Sequence, residues 1–390
     1  MRIFSGIKPT GPLHVGSYAG AISQWLAFQK DPASEGFFCV VDLHALTNNP
    51  SPEQLRRDIM ETAAGYLAFG LHDARFPIFI QSHVPAHSEL TWVLSTLAGV
   101  GELERMTQFK DKAGYAEILK ARDRVTQRLE QTIEELDLLQ AGSMGAHHRL
   151  VRDQHKEVID GYRSLKEELD NLHALLTARD SRVGAGLLNY PVFMAADILL
   201  YDTDVVPVGE DQLQHVELAR TLARRFNSRY GETFKLPRAK LVKGASRIMS
   251  LQDPKKKMSK SLGSAHYVGI FEPADIVRKK IMSAVTDSGS DIKYDPATKP
   301  ALSNLITLMG VVTGKSASNI EHEYAHVGYA AFKEKLAEAF LAFFESVRRK
   351  KAELDKDPHH VLFELKAGAE KAREITNKKL RDAQYKIGLV

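Results

Sequence analysis

Short apolar runs alternate with amphipathic helical stretches along the first hundred residues. Residues 1–7 form a β-type run that ends in a Gly/Pro loop, GIKPTGP. Residues 14–29 carry apolar positions at helical spacing. Residues 36–43 (GFFCVVDL) and 76–81 (FPIFIQ) are mostly apolar, as in strands buried on both faces. Residues 52–69 and 85–97 read as helices. This β-α-β-α-β order predicts a parallel sheet with helices on both faces.

The texture changes near Gly114. From there to about Val183 the chain is polar, charged and helical. Val151, Val158, Tyr162, Leu165, Leu169, Leu172 and Leu176 fall at spacings of three and four, with His155 in the remaining slot. A rougher seam, Ile118, Val125, Leu129, Ile133, Leu136 and Leu139, marks an earlier arm. AGSMGA (141–146) between them is a turn by composition. The pattern predicts an antiparallel helical hairpin, its second arm reaching about 50 Å at ~1.5 Å per residue. The α/β texture then resumes. Residues 186–200 read as a helix, and 204–208 (DVVPV) as a strand leading into Gly209-Glu210-Asp211-Gln212 and another helix. Residues 251–264 form a Lys-rich loop, and from about Pro273 the chain is mostly helix.

Composition narrows the class. The 390 residues are 44% hydrophobic and 26% charged, ordinary for a globular protein. One cysteine, Cys39, excludes an intrachain disulfide and a cysteine-built metal centre. No apolar run is long enough for a membrane span, and the N-terminal stretch lacks a secretion signal's apolar region, so a cytoplasmic protein is expected. The net charge is +4. From residue 301 onward 15 Lys+Arg stand against 12 Asp+Glu. That permits an acidic partner such as nucleic acid without demanding one.

Two segments could carry chemistry. The first runs from Gly6 to Ser17, between the first strand and the first helix. Its glycines allow close backbone approach, and the helix start offers free N–H groups suited to phosphate. Its spacing matches neither GxGxxG nor a P-loop. The second is Lys255–Ser261, KKKMSKS. A lysine run is usually a solvated loop, but two lysines flanking a small hydroxyl residue can close over a polyphosphate and neutralise departing pyrophosphate.

Together, Thr10-Gly11-x-x-His14-x-Gly16 and the later KMSKS resemble class I aminoacyl-tRNA synthetases. More closely, FSGIKPTG (4–11), VDLHALT (41–47), GELERMTQFKDK (101–112), NYPVFMAADILLY (189–201), VPVGEDQLQH (206–215), RIMSLQDPKKKMSKS (247–261) and AVTDS (284–288) resemble the bacterial tryptophanyl-tRNA synthetases. The resemblance implies a Rossmann-type catalytic domain in two halves, 1–112 and 187–270. It makes 113–186 a coiled-coil hairpin insertion and 271–390 a helical domain on the anticodon side of tRNA, with basic clusters at 348–351 and 378–381.

It also implies site residues. ATP is held by Lys8, Pro9, Thr10, Gly16 and Ser17, by Gly209, Glu210 and Asp211, by Ile248, and by Lys257, Met258, Ser259, Lys260 and Ser261. Lys8 and Ser17 depart from the Gln and the Asn or His usual in the family. His14, Lys112, Lys257 and Lys260 serve the reaction, with Mg²⁺ bound mainly through the ATP phosphates. For L-tryptophan, Asp197 accepts the donor-only indole N–H. Met194 packs on the ring, and Tyr190, His44 and Gln212 complete the pocket; His44 reads equally well as a satisfied core histidine. The implied activity is tryptophan–tRNA ligase, through tryptophanyl-adenylate, acting on tRNA(Trp) as a homodimer.

Three rivals stand beside this. A tyrosine-specific synthetase shares the fold. A synthetase-like paralogue would make adenylate without charging tRNA. His322-Glu323-Tyr324-Ala325-His326 fits the HExxH pattern of a zinc metalloprotease, though no third ligand is identifiable. His147-His148 and His359-His360 read as loop residues. The hairpin reads either as a tolerated surface insertion or as an extra contact with tRNA, a partner subunit or another protein.

Overall fold

In the computed structural model, residues 1–142, 148–241 and 248–389 are described, with the side chains of 138–142, 148–155, 157 and 179–182 outside that description. Most of the expected turn at 141–146, His147 and Arg247 therefore lie outside the described residues, and the side chains of His148 and of the seam positions Leu139, Val151 and His155 lie outside the description. Strands β1 (Arg2–Ile7), β2 (Glu35–Val40), β3 (Ile78–Ile80), β4 (Val205–Val208) and β5 (Arg238–Leu241) form one parallel sheet in the order β3-β2-β1-β4-β5. Ile3 of β1 stands opposite Gly36 on one side and Val205 on the other. The strand order reverses at β1. The carboxyl ends of β1 and β4 thus open onto the kind of crevice where such sheets bind ligands.

The four expected strands form, each slightly shorter than its apolar run. In β2 the residues from Gly36 to Val40 are all buried, as a two-faced strand requires. Trp25 stacks on Phe38 at 4.6 Å and meets Tyr66 edge-on, joining the helices to the sheet. β5 is an addition to the sequence reading. Its residues RAKL are mostly exposed at the sheet edge, so no apolar run announces it.

The chain folds as two units, 1–97 with 192–390, and 98–191. In the first lie helices α1 (Pro52–Ala68) and α2 (Ala86–Ser95). Ser51 caps α1 through its hydroxyl, which accepts from the Gln54 N–H, with Pro52 at the first turn. The second unit holds α3 (Tyr115–Gly142) and α4 (His148–Arg182). Helix α5 (Ala185–Leu199) runs through the division, and α6 (Leu213–Tyr230) follows β4. The C-terminal part is helical: α7 (Pro300–Thr313), α8 (Tyr329–Leu354) and α9 (Pro358–Ile387).

The C-terminal helices pack on the α/β core. A Cβ at Gly368 would fall 1.8 Å from the Ile78 carbonyl oxygen, so glycine is what lets α9 lie against β3. Lys351 of α8 is buried, with its ammonium 3.1 Å from Glu61 of α1 and 2.7 Å from Asp355. The short helix Ala317–Glu323 ends before His326, and Glu323 pairs with Lys315. The i, i+4 histidine geometry of a metalloprotease helix therefore does not form.

Helices α3 and α4 run antiparallel, since Arg124 pairs with Glu168 at 3.2 Å while Gly161 lies against Glu135 and Thr132. Their seam differs from the expected one. On α3 the inward positions are Ala121, Val125, Arg128, Thr132 and Glu135; on α4 they are Val158, Gly161, Leu165, Glu168, Leu172 and Leu175. Heptad spacing holds, but Leu129, Ile133, Leu136, Tyr162, Leu169 and Leu176 stand one residue off and exposed. Small and polar residues share the inward face: Gly161 lies against the flexible end of Glu135 and the Thr132 hydroxyl.

Candidate active site

Four strand ends supply the site of the first unit. The loop after β1 runs from Lys8 into a helical stretch beginning at Val15, with His14 as its N-cap residue in extended backbone. Lys8 donates to the Thr47 hydroxyl at 3.3 Å, Pro9 is buried, and Ser17 donates its backbone N–H to the His14 carbonyl at 2.8 Å. A Cβ at Gly16 would sit 2.9 Å from the His14 ring, so glycine there lets the imidazole fold over the turn. Gly11 has φ +106°, a conformation that side chains disfavour.

The KMSKS segment docks against this loop. Ile248 is buried, and its carbonyl accepts the Met258 N–H at 3.0 Å while the Met258 side chain enters the core. Asn304 of α7 holds the neighbouring Met249 through both its N–H and its carbonyl. The Ser259 hydroxyl accepts from the Ser261 N–H. Lys260 reaches back and donates to the Gly11 carbonyl at 3.0 Å. Burial lowers its ammonium pKa to about 8, against the pull of Asp58 on α1. Burial, with Lys260 and Lys257 nearby, lowers His14 to about 3, so its imidazole is neutral at physiological pH. His14 Nδ1 is buried with no partner among the described residues. Thr10, His14, Gly16 and Lys260 are thus brought to one loop junction, with the exposed Lys257 acting on His14 from beside it.

At the end of β4, Gly209 precedes the single turn Glu210–Gln212. Glu210 and Asp211 are exposed. Gln212 donates to Asp211 at 2.8 Å and lies 2.8 Å from His215 Nδ1.

A second cluster centres on Asp197 of α5, which is 2% exposed. One carboxylate oxygen lies 2.6 Å from His87 Nδ1 and accepts from Gln81 Nε2 at 2.8 Å. The other lies 2.8 Å from His44 Nε2 and 2.9 Å from the same Gln81 amide. Burial alone would raise its pKa, but the His87 and His44 partners bring it down to about 2. A buried, ionised acceptor results. His87 is braced from behind, its Nε2 2.9 Å from the Tyr201 hydroxyl. Met194 sits half-buried one turn before Asp197 on α5. His44 is accordingly a polar partner of Asp197.

Sequence reasoning missed Gln81, His87, Tyr201 and Asp58. Gln81 had a signal: it is the polar residue that ends the apolar run FPIFIQ, at a strand's carboxyl edge. Lys112 and Tyr190 belong to the second unit, where the Lys112 ammonium lies 5.7 Å from the Tyr190 ring centroid. The C-terminal basic clusters are partly spent inside the protein. Arg348 donates to the Ile270 carbonyl, Lys351 is buried in its ion pairs, and Lys379 pairs with Asp202. Arg349, Lys350, Lys378 and Arg381 are exposed.

A parallel sheet with a reversal of strand order, a His/Gly loop after its first strand and a lysine loop folded onto it define a class I synthetase catalytic core. The family profile described as tRNA synthetases class I (W and Y) matches residues 1–133 and 166–345, and the chain belongs to this family. The unmatched stretch 134–165 falls within the hairpin. The chain is 39% identical over 389 residues to the tryptophan–tRNA ligase of Clostridium acetobutylicum, covering 100% of this chain and 97% of that one. Among solved structures it is similar to tryptophanyl-tRNA synthetase from Mycoplasma pneumoniae, with TM-score 0.75, 28% identity and coverage of 100% and 98%. The Campylobacter jejuni enzyme, complexed with ADP and tryptophan, gives TM-score 0.70 at 30% identity, covering all of both chains. Among the described residues no helix is long and apolar enough to cross a membrane.

Proposed function

We infer that the protein is a tryptophan–tRNA ligase, which activates L-tryptophan with ATP and passes it to tRNA(Trp). The observation that carries this is the Asp197 carboxylate: buried, ionised and held by His44, Gln81 and His87. Indole can only donate, so its recognition requires an acceptor, and a fixed anionic one meets that need. The full-length similarity to tryptophan–tRNA ligases favours this reading over tyrosine specificity.

In the proposed reaction the tryptophan carboxylate attacks the α-phosphorus of ATP in line, forming the adenylate as pyrophosphate leaves. A ribose hydroxyl of the terminal adenosine of tRNA then takes the aminoacyl group from the adenylate, forming an ester as AMP leaves. The protein's part is positioning and electrostatics. Lys260 and Lys257 supply cations where negative charge gathers on pyrophosphate. Neutral His14 offers a hydrogen bond without charge, and its unpartnered Nδ1 supports a ligand contact there. Gly209, Glu210 and Asp211 follow β4, and the family resemblance gives them the nucleoside. Lys112 and Tyr190 are assigned to phosphate and amino acid by the family resemblance. Mg²⁺ would enter with the triphosphate, because the charged side chains within 257–261 are cations rather than metal-ligating carboxylates.

Residues 271–390 are proposed as the tRNA-facing domain, through Arg349, Lys350, Lys378 and Arg381. A cytoplasmic homodimer is proposed as the working form, and Trp92, 75% exposed on α2, supports a buried partner surface there. Charging of a mixed tRNA pool with labelled tryptophan tests the reading. Tryptophan should be esterified to one isoacceptor family; adenylate formation without charging would assign the chain to a paralogue that stops at activation.

A further inference from the structure

The hairpin of the second unit carries an apolar face that neither of its helices covers. On α3, Leu129, Ile133 and Leu136 each sit one residue past an inward seam position. On α4, Ile159, Tyr162, Leu169 and Leu176 do the same. One residue turns a side chain by about 100° around the helix. Because the helices are antiparallel, that same rotation carries both stripes to the same side of the hairpin. The seven side chains, 37% to 63% exposed, therefore form one face. They present roughly 600 Å² of surface, so two such faces together would bury on the order of 1,200 Å², enough for a specific interface.

The charges say what fits it. In α3, residues 120–128 carry four Lys/Arg and one Asp, while residues 130–137 carry four Asp/Glu and no cation. Laid antiparallel on a second α3, each basic half meets an acidic half. Across α3 and α4 together, 11 Lys+Arg and 13 Asp+Glu leave a net charge of −2, which disfavours a polyanion such as RNA.

We propose that this face binds the same face of a second copy of the chain. The two-fold axis runs perpendicular to the helices near Leu129, α3 lies antiparallel to its counterpart, and the two hairpins form a four-helix bundle. This contact is independent of the ligase reading.

Sedimentation of the full chain across a concentration series tests it. Ile133→Lys changes an exposed side chain and should weaken one association step by at least about tenfold, as loss of a central apolar contact does. Amino-acid activation per chain should be unchanged, which reports intact folding. In a second measurement, Leu129→Cys near the axis should form a covalent dimer under mild oxidation, because its copy lies within disulfide reach. Arg163→Cys, exposed and off this face, should not. Identical sedimentation of Ile133→Lys and the parent chain would overturn the proposal. So would cross-linking of Leu129→Cys no faster than Arg163→Cys. Loss of tRNA binding in Ile133→Lys with sedimentation unchanged would assign the face to RNA and overturn it too.

Discussion

Replacing Asp197 by Asn keeps the side chain's shape and removes its charge. The carboxylate meets Gln81 through both oxygens, His87 through one and His44 through the other. An amide offers one oxygen and one donating NH₂. The NH₂ group is tolerated where it faces His87, because that ring can pass its proton to the nitrogen facing the Tyr201 hydroxyl, a group able to donate or accept. Gln81 then keeps one of its two contacts. Charge-assisted bonds become neutral ones, and the loss comes to about 1–3 kcal/mol of stability. The effect on substrate is separate. Exchanging an ionised acceptor for a neutral one at the indole N–H costs about 1.5–3 kcal/mol, or roughly 10- to 150-fold in kcat/KM for tryptophan. KM for ATP should stay within about twofold, since Asp197 belongs to a different cluster from the loop that meets Lys260. The assay is tryptophan-dependent ATP–pyrophosphate exchange, with urea unfolding to report stability. A variant that unfolds as expected but retains the parent kcat/KM for tryptophan would refute the role given to this carboxylate. The depressed pKa adds a sign: Asp197 contributes stability above its unfolded carboxylate value, and that contribution is lost as pH falls toward about 2.

Other outcomes follow from the same geometry. The Lys260 ammonium titrates near 8, so kcat/KM for ATP should fall as pH rises through that value. Asp58→Asn removes the carboxylate that opposes this, and the alkaline limb should move to lower pH; a limb that stays in place would separate Asp58 from Lys260. Gly16→Ala sets a methyl against the His14 ring and should raise KM for ATP by about tenfold or more with unchanged circular dichroism, since misplacement by an ångström costs that much. Lys351→Met removes a buried cation, but its partners Glu61 and Asp355 are 34% and 54% exposed and can rehydrate. Thermal unfolding should therefore show a loss of about 1–2 kcal/mol rather than the ~3–5 kcal/mol of a stranded buried charge.

β2 and β3 were legible as apolar runs buried on both faces, β1 and β4 as shorter β-type runs leading into a Gly-containing loop, and the loops after β1 and before α7 were legible as contiguous motifs. β5 was not: an edge strand of sequence RAKL needs no apolar pattern, only a neighbour's backbone. The hairpin's helices and direction were legible, and its seam in part: Val125, Val158, Leu165 and Leu172 face inward as expected, while Leu129, Ile133, Leu136, Tyr162, Leu169 and Leu176 do not. Hydrophobic size marks candidate positions, whereas polar and small residues, Arg128, Thr132, Glu135, Gly161 and Glu168, hold much of the inward face. The HExxH string was legible and misleading, because the helix ends at Glu323 and His326 falls outside it. The Asp197 cluster was half legible. Asp197 and His44 stood in strings of distinctive sequence, while Gln81 follows β3 and His87 lies on α2, and only the folded sheet brings them to the same carboxylate.

ATP–pyrophosphate exchange, run with each standard amino acid in turn, decides whether this chain activates tryptophan through a buried anionic acceptor. Exchange should occur with tryptophan alone and be lost or greatly weakened in Asp197→Asn while that variant remains folded. Exchange driven equally well by tyrosine, or by none of the amino acids, would overturn that reading.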